Sequence, residues 1–153
     1  DSIDRKILNA LQNNARMTLV ELSEQVALSK TPCAERLKKL ERSGYIKGYH
    51  ALLDARKLGL AQLMIVQVSL QQTSNDALQR FNRAIRNIPQ VQACYMVAAH
   101  FDYLLLIRTH NIEEFRRILG DKIGELPNIQ QTHSYMVMEQ VMETAALPIT
   151  PDR

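Results

Sequence analysis

The stretch Leu28-Ser29-Lys30-Thr31-Pro32-Cys33-Ala34-Glu35-Arg36-Leu37-Lys38-Lys39-Leu40-Glu41-Arg42-Ser43-Gly44 decides how the rest of the chain reads. Ser29 or Thr31 suits a helix N-cap, and Pro32 falls in the first turn, where a missing N–H costs nothing. Leu37 and Leu40 repeat at helical spacing, and Gly44 is a residue type that ends helices in the left-handed conformation. Residues 29–48 carry six basic side chains (Lys30, Arg36, Lys38, Lys39, Arg42, Lys47) against two acidic ones, Glu35 and Glu41. A local positive field of this kind suits a polyanion, because each neutralised phosphate releases condensed counterions. On charge alone, a solvated basic helix face is the simpler reading.

Upstream of this stretch, Ile3, Ile7, Leu8 and Leu11 mark a first helix over residues 3–12, with Ser2 or Asp4 as its cap and Asn13-Asn14 at its end. A second helix begins at Thr18, and Glu21 three residues later completes a capping-box pattern. Leu19, Leu22 and Val26 form its apolar face, and Ala27-Leu28-Ser29 is a short turn. After Gly44, residues 45–53 read as a short hairpin or wing, and residues 51–61 as a linker containing Gly59. Three short helices and a hairpin, with the third helix basic, follow helix-turn-helix logic: the N-terminal residues of the third helix face base edges in a major groove. Ser29, Lys30, Thr31, Pro32, Cys33, Glu35 and Arg36 occupy that position, with Arg36 the candidate for bidentate guanine readout. Lys38, Lys39, Arg42 and Lys47 are assigned to phosphates, which position without reading sequence. Each has a plainer reading. Glu35 pairs with Lys38 or Lys39 along the helix, Arg42 faces the helix C-terminus, and Cys33 is a small helix side chain.

The second half has a different rhythm. Residues 62–70 form a strand and residues 75–88 a helix with Leu78, Phe81, Ile85 and Ile88 on one face, which Pro89 ends. Residues 91–99 and 103–109 are strands joined by His100-Phe101-Asp102. Residues 112–126 are a helix with Ile112, Phe115, Leu119, Ile123 and Leu126 inward, and residues 129–139 a last strand. The order β-α-β-β-α-β is ferredoxin-like. The expected fold is α+β, a winged helix-turn-helix over residues 1–50 and a βαββαβ domain over residues 62–140. Its strands carry apolar residues on both faces, as with Ile65 beside Met64 and Leu104 beside Leu105. Two helices cover one face only, so a second copy of the chain is the expected cover for the other. A tail follows over residues 141–153, and its stretch from Ala145 to Arg153, with Pro148 and Pro151, is expected to be mobile or to wrap a neighbour.

Glu21-Leu22-Ser23, Leu28-Ser29, Thr31-Pro32-Cys33, Glu35-Arg36, Leu40-Glu41-Arg42 and residues 44–49 together resemble the DNA-binding half of the Lrp/AsnC family of amino-acid-responsive regulators. Residues 101–105 and 135–139 resemble its second half, so the likeness runs over nearly the whole chain. The resemblance implies a second domain of the type called RAM, which binds a small amino acid such as leucine or methionine between dimers. It also implies assembly into dimers and, often, four dimers in an octameric ring around which DNA wraps. The pocket is built around the loop between the second and third strands, where the usual pattern is Gly-x-x-Asp. Here that loop is Ala99-His100-Phe101-Asp102, with Ala99 in place of the glycine, which removes easy access to positive φ. Backbone N–H groups in such a turn hold a carboxylate, and Asp102 pairs with an ammonium. The implied effector site comprises Met96, Ala98, Ala99, His100, Phe101, Asp102, Tyr103, Tyr135, Met136 and Val137, with Met138 a further candidate for its apolar wall. Asp102 also has a plainer reading as a turn residue bonded to nearby backbone.

Composition narrows the alternatives. Residues 1–60 hold 11 lysines and arginines against 7 acidic residues, while residues 61–153 hold 8 against 9, so the whole positive excess lies in the first part. No apolar run is long enough to span a bilayer, and the N-terminus has no secretory pattern, so a cytoplasmic, nucleoid-associated protein is expected. Two cysteines, Cys33 and Cys94, support neither a disulfide framework nor a zinc site. The four histidines are dispersed, with no glycine loop for phosphate and no nucleophile–base pair, so neither an enzyme nor a cofactor is expected. The remaining alternative is an architectural protein that wraps DNA without effector control.

Overall fold

The computed structural model describes residues 1–150, so the last three residues of the expected tail lie outside it. The chain divides into two compact units, one built on Asp1–Leu52 together with residues 142–150, the other on Leu53–Val141.

The first unit holds three helices, α1 (Ser2–Asn13), α2 (Leu19–Gln25) and α3 (Lys30–Arg42). The cap of α1 is neither Ser2 nor Asp4 but Asp1, whose side chain accepts from the Asp4 N–H at 2.9 Å. Thr18 caps α2 through the full reciprocal box with Glu21. Ile7, Ala10 and Leu11 of α1, Leu22 of α2 with Val26 beyond it, and Cys33 and Leu40 of α3 form the core. Each fully buried Leu or Ile there contributes about 1.5–3 kcal/mol of transfer free energy. Leu19, expected on the apolar face of α2, is 36% exposed and stays outside the core. The turn between α2 and α3 is held by the Leu28 N–H donating to Ser23 O and the Ala27 N–H donating to Glu24 O, with Ala27 at φ +57°. That is the bond pattern of a Schellman cap built on alanine where glycine is usual. Gly44, at φ +80°, ends α3 as its spacing predicts. The expected hairpin over residues 45–53 is not formed: no ladder pairs these residues, and Tyr45, Leu52 and Leu53 are exposed.

The second unit is a four-stranded antiparallel sheet in the order β2-β3-β1-β4, with β1 Gln62–Leu70, β2 Val91–Met96, β3 Tyr103–Thr109 and β4 Ile129–Met136. Helices α4 (Asn75–Ile85) and α5 (Ile112–Ile118) cover one face, burying Met64, Val66, Val68, Tyr103, Leu105 and Ile107 against Phe81, Ile85, Phe115 and Ile118. This is the ferredoxin-like topology that the element order predicts. Beyond Ile118 the helix widens into a π-turn over Leu119–Ile123, closed by the Gly124 N–H on Leu119 O. The extra residue rephases the inward face, so Ile118 is buried and Leu119, expected inward, only partly so. On the opposite face, Ile65 pairs with Leu106 and with Tyr135, and Leu104 with Tyr95. All of these are partly or largely exposed, leaving an apolar sheet face that the two helices do not cover.

Candidate DNA interface and effector loop

At 100° per residue, Cys33, Leu37 and Leu40 share one side of α3 and pack into the core, with Cys33 fully buried. Cys33 is thus a core side chain, and its burial pushes the thiol above its ordinary range. Arg36 lies toward the same side. Its Nη1 donates to Asp1 Oδ2 at 2.6 Å and to Asp4 Oδ1 at 2.9 Å, which leaves the side chain 33% exposed. The best sequence candidate for base readout is therefore turned toward α1 and engaged there. The outward face instead carries Thr31, Glu35, Lys38 and Arg42, spaced i, i+4, i+7 and i+11 and all exposed. Glu35 forms no ion pair with Lys38 or Lys39 among the described residues, so these charges stand free toward solvent.

Ser29 and Lys30 are exposed at the N-terminal end, with Ser29 making no side-chain cap bond. Pro32 is partly buried, and Lys39 is exposed on the other flank. Lys47 is exposed beyond Gly44. Two residues later, the Tyr49 hydroxyl donates to Glu41 Oε1 at 2.8 Å. Burial and the adjacent Glu41 carboxylate push this phenol up to about 12, so it stays protonated and keeps donating. Tyr49 thus ties the segment carrying Lys47 back to α3. No sequence pattern marked this pairing, or that between Arg36 and Asp4, because neither follows a local spacing rule.

The loop between β2 and β3 spans residues 97–102, because β2 stops at Met96 rather than Ala99. Asp102 anchors it. Its N–H donates to Val68 O at 2.9 Å, its carbonyl accepts from the Val97 N–H at 3.0 Å, and its Oδ2 accepts from the Leu70 N–H at 2.7 Å. The carboxylate thereby satisfies a buried backbone donor at the point where β1 shifts register against β4. Ala98, Ala99 and His100 are exposed, and among the described residues their N–H groups donate to no protein acceptor. Phe101 is partly buried, its ring meeting that of His100 edge-on at 5.1 Å.

The other proposed wall residues do not converge on this loop within one chain. Tyr103 is 1% exposed, stacks on Phe81 at 4.3 Å and donates its hydroxyl to Asn82, so it belongs to the core and not to a pocket wall. Met96 is on β2 and Met136 on β4, the two opposite edges of the sheet. Tyr135 faces the uncovered side, Val137 donates its N–H to Leu63 O, and Met138 is almost fully exposed.

Comparison with known proteins places these two regions in a familiar arrangement. Residues 1–47 match a family model described as winged helix-turn-helix DNA-binding, and residues 63–147 match one described as the Lrp/AsnC ligand binding domain. The chain is 48% identical over 143 residues to the proline dehydrogenase transcriptional activator of Rhodobacter capsulatus, covering 94% of this chain and 93% of that protein. It is 42% identical over 149 residues to the leucine-responsive regulatory protein of Escherichia coli K12, covering 97% and 91%. Among solved structures, a Neisseria meningitidis transcriptional regulator in complex with L-methionine superposes with a TM-score of 0.90 at 36% identity, covering 97% of this chain and 96% of that one.

Proposed function

The chain belongs to the Lrp/AsnC family of DNA-binding transcription regulators, and from that premise we propose that its DNA binding is sequence-specific and answers to a small free amino acid. Its relatives regulate transcription and are not enzymes. On this reading the outward face of α3 enters the major groove. Thr31 and Glu35, nearest its N-terminus, meet base edges, Lys38 and Arg42 meet phosphates, and Arg36 holds α3 in place.

The observation that carries the effector reading is the anchored β2–β3 loop. Asp102 holds residues 97–102 by three hydrogen bonds, while among the described residues the N–H groups of exposed Ala98, Ala99 and His100 donate to no protein acceptor. Such donors suit a carboxylate. The relatives described above support the choice of ligand, since one is named for its response to leucine and a structural neighbour was solved with L-methionine. Because Met96 and Met136 lie on opposite edges of the sheet, an apolar wall for an aliphatic side chain has to come from another copy of the chain. The uncovered face around Ile65, Leu104 and Leu106 is the surface through which two copies pair, and dimers then assemble further, to an octamer in the arrangement the family resemblance implies. Binding between copies shifts the population of assemblies and so the occupancy of DNA. The protein then acts on the chromosome in the cytoplasm. Calorimetric titration with L-leucine and L-methionine tests the reading: saturable heat supports it. No heat with either, up to about millimolar concentration, the weak end for a metabolite sensor, would favour a wrapping protein without effector control.

A further inference from the structure

The chain passes between its two compact units twice, once after Leu52 and once after Val141, because residues 142–150 group with Asp1–Leu52. The second passage ends in a specific contact. The Gln12 carboxamide donates from Nε2 to the Leu147 carbonyl and accepts at Oε1 from the Leu147 N–H, both at 2.8 Å. Asn9 Oδ1 also accepts from Gln12 Nε2, at 3.0 Å, which fixes the orientation of the amide.

The sequence prepares Leu147 for this pairing. Pro148 follows it, and a residue before proline is steered to extended backbone. An extended residue presents its N–H and C=O on one side, as in a hydrogen-bonded ladder pair, so a single carboxamide satisfies both. The segment is further shaped by the Ala146 N–H on Thr144 Oγ1 and the Ile149 N–H on Leu147 O. The Leu147 side chain is 69% exposed, so what Gln12 recognises is backbone. Gln12 itself lies at the C-terminal end of α1, whose Ile7, Ala10 and Leu11 share a core with Cys33 and Leu40 of α3.

We propose that Gln12 and Leu147 form a clasp that makes the C-terminal segment a second tether between the DNA-binding unit and the sheet unit, in addition to the linker. This inference is independent of the effector reading, since it needs no ligand. Hydrogen–deuterium exchange on the full chain tests it. Gln12→Ala raises the exchange rate at Leu147 by roughly two- to tenfold, the range a net hydrogen bond of this kind supports. It also speeds exchange at Leu58, Gly59 and Leu60, whose N–H groups close the linker turn, while core peptides of both units keep their protection. Pro148→Ala, which relaxes the extended bias without touching α1, moves the same amides in the same direction by less. Unchanged exchange at Leu147 in both variants would show that no clasp forms. Faster exchange at Leu147 with an unchanged linker would show a clasp that tethers nothing. Either result overturns the proposal.

Discussion

Arg36 and Asp4 meet at 2.9 Å, guanidinium to carboxylate, and with Asp1 at 2.6 Å on the same nitrogen they join the middle of α3 to the first turn of α1. The pair is partly exposed, so its worth is set by solvent screening as much as by distance. Arg36→Ala is expected to lower stability by about 1 kcal/mol, the upper end for an exposed pair, in urea unfolding. The salt dependence of DNA binding should keep its slope, because no phosphate contact is lost. A slope reduced by about one phosphate would return Arg36 to the DNA.

Lys38 and Arg42 present the opposite case, being exposed on the outward face of α3. Lys38→Ala and Arg42→Ala should each weaken binding to operator and random duplex by similar factors and reduce the salt slope by about 1. Thr31→Ala and Glu35→Ala should lower the preference for operator over random DNA and leave the slope unchanged. Fluorescence anisotropy at several salt concentrations separates the two patterns.

Asp102 has two roles that different substitutions separate. Asp102→Ala leaves the N–H of buried Leu70 without its acceptor and should cost about 1–3 kcal/mol, read from thermal or urea unfolding. Asp102→Asn keeps an oxygen facing Leu70 and should keep most of that stability. If the carboxylate also pairs with the ammonium of an amino acid, the Asn variant loses amino-acid heat in calorimetry while staying folded.

Glu114 predicts an acid limb. Hydrogen bonds from the His110 N–H and the His110 ring hold its carboxyl below the ordinary value of 4.5. A carboxyl depressed in the folded state stabilises the fold fully above its unfolded value, and that contribution is lost as pH falls through the depressed one. The urea midpoint should therefore fall as pH drops below 4.5, and Glu114→Gln should flatten that part of the profile.

Much of the fold was legible because local rules dominate where it could be read. Strands β1 and β3 fall on the runs of apolar side chains at residues 62–70 and 103–109 that mark them, and the Thr18–Glu21 box starts α2 as its spacing requires. The misreadings fall where a non-local or irregular feature takes over. The π-turn at Leu119–Ile123 inserts a residue into a 3.6-residue repeat, so a periodic reading buries Leu119 in place of Ile118. Arg36 reads as a base reader from its place on the basic helix, but carboxylates 32 and 35 residues away claim it. Residues 45–53 carry strand-forming side chains, yet no ladder pairs them, since a strand pattern does not specify its partner. The sequence marks Asp102 but does not reveal that its carboxylate spans to Leu70.

A small free amino acid should change how tightly this chain holds DNA. Anisotropy of a labelled operator duplex titrated with the 153-residue chain, with and without saturating L-leucine or L-methionine, reads this directly. DNA affinity should shift by about 5- to 150-fold, the usual span of an allosteric coupling, with at least one of the two. Superimposable curves with both amino acids, alongside intact salt-sensitive DNA binding, would contradict it.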